Sequence, residues 1–225
     1  SDDPFWADIA LHWQNDLVAP YLKEFLKDKV EHHYHNIDNV EIDENGIKSV
    51  DSFVADYYID CTGERRILTK PFGIKYIPFN DLSLDSAIVY SKPKIDCYYT
   101  EAKKRKYGWE WSIPLQDRNN RGYVYSSKWA SEQEVLEELG IEKPNRSLKF
   151  NAGMLEDIAY KNILSNGIAA HFIEPLEATN IEFAVIAAQM FGKFIKRNYD
   201  YKKLNSELIK SIREIKDFIV FHYHN

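Results

Sequence analysis

The chain has 225 residues, of which 44% are hydrophobic and 28% charged, a balance that predicts a folded protein of one large or two small domains rather than disorder. Lys and Arg number 29 against 35 Asp and Glu, so the net charge of −6 gives no support to a nucleic-acid partner. No apolar run reaches the roughly 18 residues of a membrane helix, so no membrane association is expected.

The first half of the chain predicts one helix and then strands. Leu17, Val18, Tyr21, Leu22 and Phe25 have helical spacing, which predicts a helix over residues 15–26 with one buried stripe. Apolar runs at 40–42, 47–50 and 53–59 predict a small meander. A larger antiparallel sheet is predicted from four aromatic and β-branched runs, at residues 87–90, 95–99, 107–113 and 122–126.

Three helices are predicted in the second half. Residues 132–139 form a short helix that ends at Gly140, and residues 201–220 carry one apolar face. Thr179-Asn180-Ile181-Glu182 has the form of a capping box, which predicts a helix beginning at Thr179. The N-terminus of that helix favours an anion, through its free N–H groups and its dipole.

Two small-residue turns could approach a ligand closely. Gly63 follows an apolar strand and precedes Arg65 and Arg66, and Gly167 precedes Ile168 and Ala169. The alternative for the first turn is an ordinary strand end with two solvated arginines. Each turn alone is weak support for a binding site.

Other candidate groups are aromatic, acidic and basic. Trp109, Trp111 and Ile113 alternate on one strand and therefore share a face, which suits either a flat ligand or ordinary sheet packing. Glu174 and Glu177 lie in an apolar stretch, where a carboxylate needs a partner or a function. The histidines form an H-H-x-H cluster and an H-x-H pair without a familiar accompanying ligand, so we expect no metal site; they are His32, His33, His35, His222 and His224.

The spacing of the glycines and the number of cysteines exclude Gly-rich nucleotide-binding loops and a disulfide framework. The two closest glycines, Gly63 and Gly73, are ten residues apart, so neither a G-x-G-x-x-G loop nor a P-loop can be written in this chain. Cys61 and Cys97 are too few for a disulfide framework. A reducing compartment, and hence the cytoplasm, is expected.

Three strings resemble the flavin-dependent tryptophan halogenase family. Residues 109–114 read W-x-W-x-I-P, residues 123–128 read Y-V-Y-S-S-K and residues 172–179 read F-I-E-P-L-E-A-T. Residues 56–66 and 167–170 are similar to the second and third FAD-contact motifs of the wider flavin monooxygenase fold. The resemblance implies an α/β fold: part of an FAD-binding domain, an antiparallel substrate-side sheet and C-terminal helices. Residues 1–70 are then part of the FAD-binding domain with the meander, and residues 71–155 are the substrate-side sheet. Residues 156–225 return to the FAD-binding domain and begin the C-terminal helical region.

The same resemblance implies a reaction and its residues. Reduced FAD, oxygen and chloride or bromide give a hypohalous oxidant that halogenates an electron-rich aromatic such as tryptophan or an indole. Glu177 is then the catalytic carboxylate, and Thr179 and Asn180 bind the halide. The FAD contacts are Gly63, Gly167, Ile168, Ala169 and Pro175, and the active-site wall is Trp109, Trp111, Ile113 and Pro114.

Some positions depart from the family pattern E-P-L-E-S-T-G. Ala178 stands for the Ser and Asn180 for the Gly. Because Asn tolerates a left-handed backbone, we expect Asn180 to preserve the halide loop. Ile168 stands where relatives often have an Asp, so one hydrogen bond to FAD is expected to be missing.

In the family, the G-x-G-x-x-G strand and the catalytic lysine precede the region matched here. Because the sequence begins at Ser1, we expect an internal fragment that binds FAD weakly and does not halogenate alone. A separate flavin reductase is the expected partner, and a homodimer stays open. The alternatives are a halide-independent flavin monooxygenase and a non-catalytic binding module.

Overall fold

A computed structural model describes residue 12, residues 14–197 and residues 200–223, and the side chain of Glu177 lies outside that description. The described helices are α1 (Asn15–Leu26), α2 (Glu132–Leu139), α3 (Thr179–Arg197) and α4 (Tyr201–Phe221). The strands are β1 (Val40–Asp43), β2 (Gly46–Val50), β3 (Tyr58–Asp60), β4 (Tyr76–Pro78), β5 (Ser86–Pro93), β6 (Glu101–Lys104), β7 (Gly108–Pro114), β8 (Arg118–Tyr125), β9 (Arg146–Lys149), β10 (Gly153–Leu155), β11 (Ala159–Tyr160), β12 (Ile163–Ser165) and β13 (His171–Phe172).

The chain divides into two compact units, each built from two stretches of sequence. Unit one contains the described residues up to Tyr34 together with Leu84–Phe150, and unit two contains His35–Ser83 together with the described residues from Asn151 onward. The α/β fold with antiparallel sheets and C-terminal helices is as predicted.

Unit one is organised around one antiparallel sheet in the order β6-β7-β8-β5-β9, which confirms the predicted larger sheet. One strand was predicted wrongly, since residues 95–99 are irregular and β6 begins at Glu101. The register pairs Lys104 with Trp109, so a tight connection selects the residues next to it over the more β-prone run before them.

Helix α2 covers one face of this sheet, whereas α1 lies on the surface. Val135 and Leu136 of α2 pack into a buried cluster with Ile88 and Tyr123. The predicted α1 has the expected bounds, but its buried stripe is wrong because none of its residues is buried. Helical spacing predicts an amphipathic helix and does not specify what covers its apolar face.

A buried carboxylate joins three strands of the sheet in unit one. Glu110 of β7 is 2% exposed and accepts hydrogen bonds from the Tyr90 hydroxyl at 2.5 Å and the Arg121 guanidinium at 2.9 Å. Arg105, just after β6, donates to its other oxygen. Burial raises the pKa of the Glu110 carboxyl, but these hydrogen bonds outweigh burial and hold the pKa below its usual range.

Unit two contains a hairpin and two three-stranded sheets, ordered β13-β10-β4 and β11-β12-β3. The predicted meander is wrong in its third strand, because β3 leaves the β1-β2 hairpin and pairs with β12 in parallel. All three residues of β12 are buried, so β3 pairs with a fully buried strand, as parallel pairs usually do.

Helices α3 and α4 supply the core of unit two. Phe183, Phe191, Leu204, Leu208 and Ile212 are almost fully buried in one cluster. The apolar face of the last helix is thus confirmed, with α4 ending at Phe221.

Replacing Glu110 by Gln should destabilise the protein by about 3–5 kcal/mol at pH 7, because two partly buried arginines lose their counter-charge. A depressed carboxyl pKa stabilises the fold above its ordinary value of 4.5. The difference between wild type and Glu110→Gln should therefore shrink as the pH falls below 4.5 towards the folded pKa. Urea unfolding at several pH values measures this, with the exposed Glu101→Gln as the control. Equal stability of wild type and Glu110→Gln at pH 7 would contradict it.

Candidate functional site

The two predicted small-residue turns lie side by side in unit two. Strands β3 and β12 run parallel, with Asp60 opposite Ser165, so both strands end at the same edge of the sheet. The segments that follow them form short 3-10 turns at Gly63–Arg65 and Gly167–Ala169. The backbone N–H of Asn166 donates to the Asp60 carbonyl at 2.9 Å. The two turns are about a hundred residues apart in sequence, and the parallel register of β3 and β12 brings them together.

Gly63 and Gly167 have left-handed backbones, with φ of 67° and 59°. Apart from the two chain neighbours, no atom of the described residues lies within 4 Å of the position that a Cβ would occupy at either glycine. Each glycine therefore leaves an open backbone surface at which a ligand can approach closely.

Asp60 shapes the first turn. Its side chain is completely buried and accepts from the Thr62 N–H at 2.9 Å, the Thr62 hydroxyl at 2.6 Å and the Leu68 N–H at 2.9 Å. One carboxylate thus holds both arms of the loop around Gly63.

The two arginines of this turn differ, which corrects the alternative of two solvated side chains. Arg65 is exposed, whereas Arg66 is half-buried. Arg66 donates from Nε to the carbonyl of Ala169 at 3.2 Å, so it binds the neighbouring turn.

An open apolar groove of about 730 Å³ runs along the start of α3. It brings together three predicted site residues, Gly167, Ile168 and Asn180, with Ile181 and Val185 beside them. Ala169, also predicted as a contact, is completely buried and faces away from solvent. The groove presents small and aliphatic groups to a flat ligand.

Helix α3 begins at Thr179 as predicted, but the capping box is wrong. A 3-10 turn over Leu176–Ala178 runs directly into the helix, and Thr179 has helical angles of φ −61° and ψ −20°. An N-cap needs extended angles to turn its side chain back. The Thr179 hydroxyl, in a residue 9% exposed, accordingly has no hydrogen-bond partner among the described residues.

The left-handed residue of this loop is Ala178, with φ of 50°, whereas Asn180 is helical. Asn180 therefore does not supply the left-handed backbone on which the expectation of a preserved halide loop is based. The bend falls two residues earlier, where the short turn meets the helix. Pro175 precedes that turn and is half-buried.

The two glutamates of the E-P-L-E string lie on either side of Pro175 and Leu176. Glu174 is 1% exposed, and its Oε1 accepts from the Tyr223 hydroxyl at 2.5 Å. Its Oε2 is buried with no partner among the described residues. Burial raises the pKa of Glu174 to about 7. The backbone of Glu177 lies in the 3-10 turn, and its side chain is outside the described part of the structure.

The predicted wall lies on β7 in unit one. The rings of Trp109 and Trp111 are 5.9 Å apart, on the same face as strand alternation requires, and Ile113 follows half-buried on that face. Pro114 is buried, and its carbonyl lies 3.1 Å from Nδ1 of His12. Trp111 pairs with Gly122 across the strands, and a Cβ at Gly122 would lie 2.0 Å from the indole.

The histidine clusters provide no metal site in the part of the chain that is described, where no group of three His, Cys, Asp or Glu side chains could hold an ion. His35 instead approaches Asp51 at 3.1 Å, and His222 approaches the Phe218 carbonyl at 2.9 Å. His224 lies outside the described residues.

Sequence reasoning missed several residues that shape these sites. Asp60 and Arg66 stood inside the first turn motif, but neither pattern nor spacing predicts which side chain crosses to the second turn. Gly122 could have been suspected, because a glycine inside a strand marks a close approach. The charge of Glu110 within an aromatic strand was a second usable signal.

The family model for tryptophan halogenases matches residues 6–225. The chain belongs to the tryptophan halogenase family. Tryptophan 7-halogenase RebH of Lentzea aerocolonigenes is 32% identical over 96% of this chain and 46% of its own length. The chain thus spans about half the length of the relatives that it matches.

Solved halogenase structures share this fold. Tar14, a tryptophan C-6 flavin-dependent halogenase from taromycin biosynthesis, superposes with a TM-score of 0.86 at 27% identity, over 94% of this chain and 47% of Tar14. BrvH, a flavin-dependent halogenase from Brevundimonas sp. BAL3, superposes with 0.87 at 24% identity, over 95% and 48%. Among the described helices, none is long and apolar enough to cross a membrane.

Gly122→Ala should displace the Trp111 indole, because the added methyl occupies the volume of the ring. We expect a changed near-ultraviolet circular dichroism spectrum and a loss of about 1–3 kcal/mol of stability. Gly192→Ala is the matched control, because nothing in the described part of the chain beyond its own helix turn lies within 4 Å of its Cβ position and alanine favours a helix. An unaltered aromatic spectrum in Gly122→Ala would show that the indole does not lie over this glycine.

Glu174 should make the stability of the protein depend on pH. A carboxyl pKa raised from 4.5 to about 7 stabilises the fold fully below pH 4.5, and this contribution is lost as the pH rises to about 7. Between pH 5 and 8, wild type should lose about 1–3 kcal/mol more than Glu174→Gln. Unfolding free energies at these pH values test this, with the exposed Glu182→Gln as the control; parallel pH profiles of wild type and Glu174→Gln would contradict it.

Proposed function

We propose that this chain is part of an FAD-dependent halogenase that acts on tryptophan or a related indole. The observation that carries the proposal is the pairing of two open glycine turns with the apolar groove at the start of α3, within a member of the tryptophan halogenase family. RebH and Tar14 are named as tryptophan halogenases, which supports this substrate class.

The residues of unit two fit a flavin. A Cβ at Gly63 or Gly167 would fill the space that a cofactor needs to approach the backbone, and Ile168 is 45% exposed along the groove. Gly63, Gly167, Ile168 and Pro175 would hold FAD, with Ala169 supporting the turn from behind. Reduced FAD would supply the electrons for converting oxygen and halide into a halogenating oxidant.

The start of α3 would hold the halide. A helix of 19 residues presents positive dipole and N–H donors at its N-terminus. The buried Thr179 hydroxyl has no described hydrogen-bond partner and can donate to an anion. Thr179 and Asn180 are therefore the proposed chloride or bromide ligands.

Glu177 would act on the aromatic substrate. Its backbone lies in the turn immediately before that helix, two residues before the proposed halide ligand Thr179 in sequence. As a general base it would accept the ring proton after halogen attack, and rearomatisation of the ring would follow. Trp109, Trp111, Ile113 and Pro114 of unit one are the proposed active-site wall, an apolar surface suited to an aromatic substrate.

A separate flavin reductase is the proposed source of reduced FAD. The chain has no Gly-rich fingerprint for a nicotinamide dinucleotide, so it lacks that means of binding the reductant.

The test is a bromide-dependent halogenation assay on the gene product that contains this chain. With FAD, a flavin reductase, NADH, tryptophan and bromide, we expect a product with the doubled isotope pattern of bromine. Glu177→Gln should reduce turnover at least about 100-fold, as loss of a general base does, while the exposed Glu156→Gln should not. The 225-residue chain alone should neither retain flavin on gel filtration nor give product.

The other outcomes identify the alternatives. Oxygen insertion into substrate without halide dependence would indicate a flavin monooxygenase. If the complete gene product neither binds FAD nor forms an oxidised or halogenated product, it is a binding module. Either result would refute the halogenase proposal.

A further inference from the structure

Arg66 joins the two glycine turns through one guanidinium group. Its Nε donates to the Ala169 carbonyl of the second turn at 3.2 Å, and its Nη1 donates to the Glu64 carbonyl of the first at 3.1 Å. The two carbonyls are 105 residues apart in sequence, and a single planar group links them. Hydrogen bonds from a charged donor are among the stronger ones in proteins.

The guanidinium is also held from one face. Its central carbon lies 3.9 Å from the centroid of the Tyr76 ring. Tyr76 is itself fixed, since its hydroxyl donates to the Asn151 carbonyl at 2.7 Å. A Cβ at Gly153 would lie 2.7 Å from the same ring, so the ring rests closely on that strand. Ring stacking and two donors in a plane suit Arg and do not suit Lys.

The backbone of Arg66 is unusual for a residue with a side chain. Its φ is 48°, in the left-handed region that glycine adopts more readily. The hydrogen bonds and ring contact of its side chain stabilise Arg66 in that conformation and offset its cost. Without such contacts, glycine would be the more favourable residue at this position.

We infer that Arg66 is a positioning residue that fixes the separation of the two glycine turns, so that FAD meets a preformed cradle. The role of FAD in this inference rests on the proposed function, whereas the link between the turns does not. Arg66 acts through Gly63 and Gly167, and no contact with the reacting atoms is invoked.

The first experiment measures amide hydrogen exchange in the 225-residue chain without flavin. Arg66→Ala should speed exchange about tenfold in peptides covering both turns. The second turn is included because the Arg66 side chain contacts it at the Ala169 carbonyl. Arg66→Gly separates strain from contact, because it relieves the left-handed backbone while removing the side chain. We expect Arg66→Gly also to speed exchange in the second turn. The exposed Arg213→Ala on α4 should leave both turns unchanged.

Unchanged exchange of the second turn in both Arg66→Ala and Arg66→Gly would overturn the inference. Slower exchange in Arg66→Gly alone would overturn it equally, since backbone strain would then be the only effect.

The second experiment measures FAD affinity, by quenching of flavin fluorescence, in the complete gene product below the melting temperature of every variant. Arg66→Ala and Arg66→Gly should each bind FAD about tenfold more weakly, and Arg66→Lys, which keeps the charge but can donate to only one turn at a time, should recover no more than part of the loss. Full affinity in all three variants would refute the cradle. Coupled exchange in a gene product that binds no flavin would uphold the link between the turns and refute the proposed function.

Discussion

The parallel pairing of β3 with β12 is the constraint on which the candidate cofactor site depends. The register sets Tyr58 against Ile163 and Asp60 against Ser165. Parallel strands end at the same edge of a sheet, and ligands of open α/β sheets bind beyond those ends. A slip of one residue would reverse the face of every side chain in β3, and the Asp60 carboxylate would leave the loop that it holds. Gly63 and Gly167 therefore become neighbours through a register that neither turn specifies alone.

Two buried glutamates show how environment decides what a carboxylate can do. Glu110 has three basic or hydroxyl donors and a depressed pKa, so it stays charged and fastens strands together. Glu174 has one donor at its first carboxylate oxygen, none at its second among the residues that the structure describes, and a pKa raised to about 7. The first arrangement is structural cross-linking within a sheet. The second leaves hydrogen-bonding capacity unused inside the protein, which costs stability unless something else uses it.

The periodic elements and the motif strings could be read from the sequence, whereas the contacts between them could not. The spacing of Leu204, Leu208 and Ile212 predicted both α4 and its buried face, since a helix fixes its own geometry. The third strand of the meander failed because pairing with residues about a hundred positions away carries no local signal. The capping box failed for a related reason: Thr179 fits the pattern, but a preceding turn that sequence did not predict gives it helical angles.

The left-handed residues other than glycine separate structural turns from the proposed site. Asp51 has φ of 49°, and its carboxylate accepts from the N–H groups of Asp38 and Asn39, which ties its turn to the segment before β1. Lys161 lies in the tight connection between β11 and β12. Arg66 and Ala178, the other two among the described residues, lie at the end of the first glycine turn and immediately before α3. Strained backbones cluster at ligand-binding sites, and these two lie where we propose that the cofactor and the halide bind, beside a Thr179 hydroxyl with no hydrogen-bond partner among the described residues.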